Sequence, residues 1–191
     1  MQEELLGLLA ARKGHFRLES GYHGDLWLDL ELLCLRPQHI RPFALELAKR
    51  LPPVDAVCGP LVEGAFVALM VACELDVEFF YAERFAHPER TQLYPVEYRL
   101  PKVQRGRVRG KRVAIINDVI NAGSAVRGTY EDLKACGAEP VVIGSLVVLG
   151  TSATSYATEK KIQMKSVASL PNQLWTPSEC PLCAAGVALT A

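Results

Sequence analysis

The sequence predicts an α/β fold built on a mainly parallel, doubly wound sheet. Residues 113–116 form an apolar, mostly β-branched run without a polar break, which is typical of a strand buried on both faces. Strand-like segments at residues 54–58, 77–82, 113–116 and 140–149 are separated by loops or helix-like segments. This alternation favours a parallel sheet with helices on both faces.

The length and composition fit one domain over residues 1–191. Half of the 191 residues are hydrophobic, and 21 basic side chains balance 21 acidic ones. The balanced charge gives no general attraction to nucleic acid or to a membrane, and no apolar stretch approaches the roughly 20 residues that span a bilayer. The N-terminus is acidic and its apolar run is short, unlike a signal peptide, so we expect a cytoplasmic protein.

The elements before residue 83 follow from local patterns. Leucines at positions 5, 6, 8 and 9 predict an amphipathic first helix, and Pro37 suits the first turn of a later one. The predicted elements are a helix over residues 3–12, two strands within residues 16–30, a helix over 37–51, a strand at 54–58, a helix ending at Leu75 and a strand at 77–82.

The segment from residue 83 to residue 112 is basic and partly irregular. It carries nine Lys or Arg (positions 84, 90, 99, 102, 105, 107, 109, 111 and 112) against three Glu (83, 89 and 97). This excess suits a polyanionic substrate, and a solvated basic face explains the part from 102 to 112 equally well. Residues 85–94 are polar and lack a regular period, so this loop between strands is a candidate lid.

Residues 112–128 carry the clearest indication of function. The apolar run ends on Asn117 and Asp118, small residues follow at 121–125, and a helix-like pattern then stops at Gly137. Small residues let backbone N–H groups close around an anion, and the next helix adds partial positive charge at its N-terminus. Ser124 can cap that helix or donate its hydroxyl to a phosphate. An ordinary strand–loop–helix unit is the alternative explanation of this segment taken alone.

Residues 115–125, Ile-Ile-Asn-Asp-Val-Ile-Asn-Ala-Gly-Ser-Ala, resemble the phosphoribosyl-pyrophosphate (PRPP) motif of type I phosphoribosyltransferases. The resemblance implies that family's fold, Mg²⁺ as cofactor, and catalytic roles for Asp118 and Asn117. Asp118 would contact the ribose hydroxyls and act on Mg²⁺ indirectly, and Asn117 replaces an acid of the motif and so brings no charge. The residues implied to hold the 5′-phosphate are Asn121, Ala122, Gly123, Ser124 and Ala125.

The loop that follows residues 54–58 resembles the pyrophosphate loop of the same family. The residues implied to meet the pyrophosphate are Gly59, Pro60, Glu63 and Gly64, with Arg84 from the next strand. Glu63 stands where the family has a small residue, and its carboxylate can either hold Mg²⁺ or point away. Taken alone, this loop is explained better as a strand-to-helix turn with packing glycines.

The N-terminal residues 1–36 resemble the small hood that covers the base in orotate phosphoribosyltransferases. Ser20 and Gly21 lie in its turn, and Glu19 replaces a lysine that the family uses at the ligand, so its charge would repel orotate and pyrophosphate. The family's lid closes over PRPP, often that of a neighbouring subunit, which implies a homodimer. The lid candidates are His87, Arg90 and Tyr94.

The resemblance implies transfer of ribose 5-phosphate from PRPP to a nucleobase, with release of pyrophosphate, as in pyrimidine biosynthesis. No arginine follows Arg127, although orotate phosphoribosyltransferases use one there for the orotate carboxylate, so orotate is only the default acceptor. A non-catalytic PRPP- or nucleotide-binding regulator, or a degenerate homologue, is the alternative, and Asn117, Glu63 and Glu19 favour it. A nicotinamide-binding Rossmann protein is disfavoured because no Gly-x-Gly-x-x-Gly opens a helix.

The tail, residues 170–191, contains the pair Cys180-Pro-Leu-Cys183. Two cysteines at this spacing form half of a zinc site and need two further ligands, from a partner chain or from elsewhere in the fold. A structural or incidental pair is the favoured interpretation. A thioredoxin-type redox motif does not suit this proline-rich context.

Overall fold

The computed structural model describes residues 2–30, 33–86 and 93–190, which form a six-stranded sheet flanked by helices and a separate three-stranded sheet. The strands are β1 (Ala10–Arg17), β2 (His23–Asp29), β3 (Ala56–Pro60), β4 (Glu78–Ala86), β5 (Val96–Arg99), β6 (Arg112–Ile120), β7 (Glu139–Leu149), β8 (Gln163–Leu170) and β9 (Leu174–Trp175). The helices are α1 (Gln2–Gly7), α2 (Pro37–Arg50), α3 (Glu63–Leu75), α4 (Lys102–Arg105), α5 (Ser124–Ala135), α6 (Ser152–Glu159) and α7 (Pro181–Ala184).

The large sheet confirms the predicted fold class. Its strand order is β5-β4-β3-β6-β7-β8, and every neighbouring pair is parallel except β4 with β5. Successive residues of β6 point into different cores: Ile116 packs with Leu47 and Val71 of α2 and α3, whereas Ile115 packs with Leu133 of α5. Both isoleucines are fully buried, as an apolar run on a central parallel strand requires.

The end of β6 differs from the prediction. The strand does not stop at Asn117 and Asp118 but continues to Ile120, because β7 is long enough to pair with it as far as Val148. The ladder therefore holds the backbone on both sides of Asp118, and the acid is fixed within a strand.

The predicted first helix over residues 3–12 is wrong in its second half. Helix α1 ends at Gly7, and Ala10 already pairs with Asp29 in the β1–β2 hairpin. Two ion pairs cross this hairpin, Arg12 with Asp29 and Lys13 with Asp25, each with an N–O distance of 3.0 Å. Cross-strand pairing thus overrides the local helical pattern.

The three-stranded sheet joins the two ends of the chain. Its order is β1-β2-β9, and His23 of β2 lies opposite Trp175 of β9 in an antiparallel ladder. The C-terminal tail therefore folds onto the N-terminal hairpin that was predicted to be the hood.

The basic segment between residues 83 and 112 is partly neutralised by acids. Arg105 pairs with Asp132 at 2.8 Å, and both Arg107 and Lys111 pair with Glu78. This supports the solvated basic face for residues 102–112. The lid candidates His87 and Arg90 lie outside the described residues. Among the helices of the described ranges, none has the length and apolar character that would let it cross a bilayer.

Candidate active site

A cleft of about 290 Å³ opens at the carboxyl ends of β3 and β6, and we call it the central cleft. In a doubly wound sheet this edge is where ligands bind. The hood contributes Leu18–Ser20, Leu26–Leu28 and Leu30 to the lining of the cleft. The large sheet and its loops contribute Pro60–Gly64, Asn117–Ala125, Tyr98 and Leu149. The two loops predicted to bind phosphate groups therefore face one cavity.

Asp118 lies at the floor of the central cleft with only 4% of its surface exposed. Its Oδ2 atom is buried and has no hydrogen-bond partner among the described residues. Ser145 of β7 donates a hydrogen bond of 2.9 Å to the backbone carbonyl of Asp118, which fixes the main chain at this point. The main chain at Asp118 is therefore fixed, and the Oδ2 atom of its carboxylate lacks a hydrogen-bond donor among the described residues.

Burial raises the pKa of Asp118 from an ordinary 3.8 to about 7. The nearby carboxylate of Glu63 raises this pKa further, while the backbone N–H of Val119 lowers it. An acid with this pKa changes its charge near neutral pH, and such shifts cluster at functional sites. A ligand that donates hydrogen bonds to Oδ2 would favour the charged form.

The Asn117 side chain lies between the end of β6 and the start of α3. Its side-chain amide donates a hydrogen bond of 2.9 Å to the carbonyl of Val119, and its Oδ1 faces Gly64. A Cβ atom on Gly64 would overlap with this oxygen, so a larger residue would require the Asn117 side chain to move. An aspartate in place of Asn117 would lose the amide donor and set a carboxylate oxygen beside a carbonyl, so the amide suits this position.

The loop at residues 121–125 is held from outside the cleft. The carbonyl of Ala122 accepts hydrogen bonds from the hydroxyls of Tyr94 and Ser152, at 3.2 and 3.1 Å. Asn172 donates a bond of 2.9 Å to Oδ1 of Asn121. Gly123 has a φ of +86°, which favours glycine, and it precedes the first turn of α5. The loop is thus fixed before any ligand binds.

Ser124 lies at the start of α5 and lines the central cleft. The N-cap is Gly123 and no side chain caps the helix, so the capping role considered for Ser124 is wrong. The first N–H groups of a helix have no partner within it. The first turn of α5 begins at the central cleft, which Ser124 and Ala125 line. This leaves the Ser124 hydroxyl for a ligand.

Arg127 is a residue that the sequence patterns did not single out. Its guanidinium carbon lies 4.7 Å from the ring centre of Tyr94 and 4.1 Å from that of Tyr156. This cation–π packing holds Tyr94 over the loop at residues 121–125. Tyr94 also donates its backbone N–H to the carbonyl of Ser20 at 2.8 Å, so it connects the lid segment to the hood turn. The spacing of these residues along the chain gives no indication of this contact.

Glu19 is held by one cation and one hydroxyl. Arg84 pairs with its carboxylate at 2.6 Å, and the hydroxyl of Tyr98 donates to the same carboxylate at 3.0 Å. The predicted repulsion of an anionic ligand by Glu19 is therefore reduced. Arg84 is engaged in this pair and is not among the residues that line the central cleft, so its contact with pyrophosphate stays a prediction.

The structure brings most predicted site residues together around the central cleft. Those that line it are Ser20, Pro60, Glu63, Gly64, Asn117, Asp118, Asn121, Ala122, Gly123, Ser124 and Ala125. Gly59 is buried in β3 behind the pyrophosphate-type loop, where a Cβ atom would lie 2.7 Å from Cα of Ala65. Gly21 supplies the hood turn with a φ of +84°.

Comparisons with known proteins identify the family. A family model described as "Phosphoribosyl transferase domain" matches residues 44–180. The orotate phosphoribosyltransferase of Thermotoga petrophila is 30% identical over 182 residues, which cover 93% of this chain and 89% of the relative. That of Caldanaerobacter subterraneus is 29% identical over 181 residues, which cover 93% of this chain and 87% of the relative.

Solved structures show the same fold. The adenine phosphoribosyl transferase of Trypanosoma brucei, solved with AMP, pyrophosphate and ribose-5-phosphate, has a TM-score of 0.68 at 16% identity, covering 87% of this chain and 78% of its own. The orotate phosphoribosyltransferase of Aeropyrum pernix has a TM-score of 0.66 at 22% identity, covering 89% of this chain and 94% of its own.

The chain belongs to the phosphoribosyl transferase domain family. It is a phosphoribosyltransferase similar to the orotate phosphoribosyltransferases, so the predicted family, fold and class of enzyme are confirmed.

The raised pKa of Asp118 predicts a pH-dependent cost in stability. Folding favours the neutral form, so the stability that Asp118 contributes is fully present below pH 3.8 and is lost as the pH rises through about 7, above which the cost is complete. We expect Asp118→Asn, which stays neutral, to raise the melting temperature of the ligand-free protein by a few degrees at pH 8. Near pH 4 the two proteins should melt together. Melting curves by circular dichroism test this, and an equal difference at both pH values would contradict it.

Proposed function

We propose that this enzyme transfers ribose 5-phosphate from PRPP to a pyrimidine base, with orotate as the first acceptor to be considered. The arrangement of the central cleft carries the proposal. A loop of small residues at 121–125, a second loop at 61–64 and Asp118 all line this one cavity. PRPP has a phosphate at one end, a pyrophosphate at the other and two hydroxyls between, so each of these three groups of the ligand has a fitting partner in the cleft.

Asp118 is proposed to accept hydrogen bonds from the ribose hydroxyls. Its Oδ2 atom is buried and unpartnered among the described residues, so a hydroxyl donor would satisfy it. The ionised form would also stabilise positive charge that develops on the ribose as the bond to pyrophosphate breaks. The rigid loop at residues 121–125 would hold the 5′-phosphate, which keeps the reacting carbon in line with the base.

The residues of the cleft fit Mg²⁺, which the family implies. Glu63 and Asp118 both line the cleft, and carboxylate oxygens are ligands that this ion accepts. Bound with the pyrophosphate, the ion would supply charge neutralisation for the leaving group. Asp118 would act on it indirectly, through the ribose hydroxyls, and Glu63 is the candidate for closer contact.

The hood end of the cleft is proposed to hold the base. Leu26, Trp27 and Leu28 of β2 line it, together with Leu149. The orotate proposal rests on the relatives that carry that name. An uncharged base is a second candidate, because the described residues that line the cleft include no Lys, Arg or His that could pair with a carboxylate.

Pyrophosphate release from PRPP and Mg²⁺ tests the function directly. Purified protein is incubated with orotate, uracil, adenine, hypoxanthine or nicotinate, and pyrophosphate is measured by a coupled enzymatic assay. We expect base-dependent release with a pyrimidine. Asp118→Ala should lower kcat/KM at least about 100-fold, because it removes the group that faces the ribose. Glu159→Ala is the matched control, since this carboxylate is exposed on α6 and outside the cleft, and it should leave the rate unchanged.

Two outcomes would overturn parts of this proposal. Release that depends on an uncharged base but not on orotate would replace orotate as the acceptor. If no base gives release while PRPP still raises the melting temperature of the protein, the loops bind without catalysing. The chain would then be the non-catalytic regulator.

The homodimer is also proposed, and one apolar surface supports it. Val62 lies in the pyrophosphate-type loop, and Phe66 and Leu69 follow it on α3; the three side chains are 54%, 45% and 45% exposed. Three such side chains together favour burial against a second copy. We expect light scattering to give about twice the chain mass, and Phe66→Glu to shift the protein toward the monomer; a wild-type mass of 20.9 kDa would contradict the dimer. A cytoplasmic location stays a prediction.

A further inference from the structure

Four potential metal ligands from the two ends of the chain meet outside the central cleft. His15 lies on β1, His23 begins β2, and Cys180 and Cys183 flank the start of α7 in the tail. Their ligand atoms all lie within 4.8 Å of one another, and none of the four lines the cleft. We call these residues the Cys₂His₂ cluster. The fold thus supplies from its own N-terminal hairpin the two ligands that the Cys-x-x-Cys pair lacked.

Four of the six separations between ligand atoms of the cluster match a tetrahedral zinc site, and the other two are within 4.8 Å. Zn–N bonds of about 2.0 Å and Zn–S bonds of about 2.3 Å set tetrahedral ligand atoms about 3.3–3.8 Å apart. Here His15 Nε2 lies 3.0 Å from His23 Nδ1, and 3.5 and 3.7 Å from the sulfurs of Cys180 and Cys183. The sulfur of Cys183 lies 3.3 Å from His23 Nδ1. Each contact is within a few tenths of an ångström of this range.

The orientation of His15 also suits a metal ligand. Its Nδ1 lies 2.7 Å from the carbonyl of Val187, a distance at which the ring nitrogen donates a hydrogen bond. This bond leaves the lone pair of Nε2 directed at the two sulfurs. A backbone carbonyl that fixes the tautomer in this way is the usual support for a metal-binding histidine. The ring is 1% exposed, so it cannot turn to water instead.

Hydrogen bonds alone leave one contact of the cluster unexplained. A neutral imidazole that donates through Nδ1 can only accept through Nε2, and that single lone pair faces His23, Cys180 and Cys183 at once. If the Cys180 thiol donates to His15 and the Cys183 thiol donates to His23, no proton lies between the two histidine nitrogens, which are 3.0 Å apart. A cation at the centre would accept a lone pair from each of the four ligand atoms.

We propose that His15, His23, Cys180 and Cys183 bind one structural zinc ion. Two thiolates with two imidazoles favour zinc over the oxygen-preferring Mg²⁺. All four ligands come from the protein, so no position is left open for a substrate. The ion would hold the tail on the hood hairpin, where Thr190 already bonds the backbone of His15 in both directions and β9 pairs with β2.

Metal analysis of the purified full chain tests this proposal without any substrate, so it is independent of the proposed function. The protein is expressed in medium that contains zinc, and any affinity tag is removed. After dialysis, its metal content is measured by inductively coupled plasma mass spectrometry. We expect about one zinc per chain. After chelation under reducing conditions, Co²⁺ should give the intense visible bands of a tetrahedral site and a thiolate charge-transfer band. Chelation should also lower the melting temperature.

Matched variants separate the site from incidental binding. Cys183→Ser and His23→Asn should each reduce zinc below about one tenth of an ion per chain, because a tetrahedral site loses a ligand. Cys73→Ser changes an exposed thiol elsewhere and should keep its zinc and its melting temperature. Cys183 is itself exposed, so a hydroxyl in its place is compatible with folding.

Two results would overturn the zinc proposal. One is wild-type protein that takes up neither zinc nor cobalt in the reduced state, with Cys180 and Cys183 recovered as free thiols or as a disulfide. The other is a Cys183→Ser variant that holds as much zinc as the wild type. The wild-type cobalt titration decides the question even if a variant fails to fold.

Discussion

The parallel pairing of β3 with β6 is the constraint on which the active site depends. Ala56 lies opposite Val113 and Cys58 opposite Ile115, although β4 and β5 come between these strands in the chain. The chain therefore adds strands on one side of β3 and then returns to the other side. A crevice opens where the direction of winding reverses, and the loops of both strands leave the sheet there. One ligand can therefore contact both loops.

The same arrangement explains why Asp118 is buried at a cost. β6 is central, paired with β3 on one side and with β7 on the other, so a polar side chain at its end is enclosed by protein. Ser145 satisfies the carbonyl of Asp118, whereas Oδ2 is left without a donor in the described part of the chain. A buried group without a partner destabilises the free protein, and such positions are characteristic of sites that a ligand completes.

Local patterns predicted the parts of the site that lie close together in the chain. The strand, small loop and helix around Gly123 are contiguous, so their sequence contains nearly all of the information that specifies them. The contacts made between distant segments could not be predicted in this way. The pair of Glu19 with Arg84, the packing of Arg127 on two tyrosines and the meeting of Cys180 with His15 arise only when the sheets assemble. The length of the N-terminal helix was overestimated for the same reason, because the pairing of β1 with β2 determines where the helix ends.

Proton release on PRPP binding would test the central claim that the ribose completes the site at Asp118. Calorimetric titrations of PRPP with Mg²⁺ at pH 6.5, in two buffers of different ionisation enthalpy, give the number of protons exchanged. With a pKa of about 7, Asp118 is mostly protonated at this pH, and ribose hydroxyls should drive it to the charged form. The account predicts that the wild type releases most of one proton more than Asp118→Asn. Equal proton release by the two proteins, with PRPP bound to both, would contradict it.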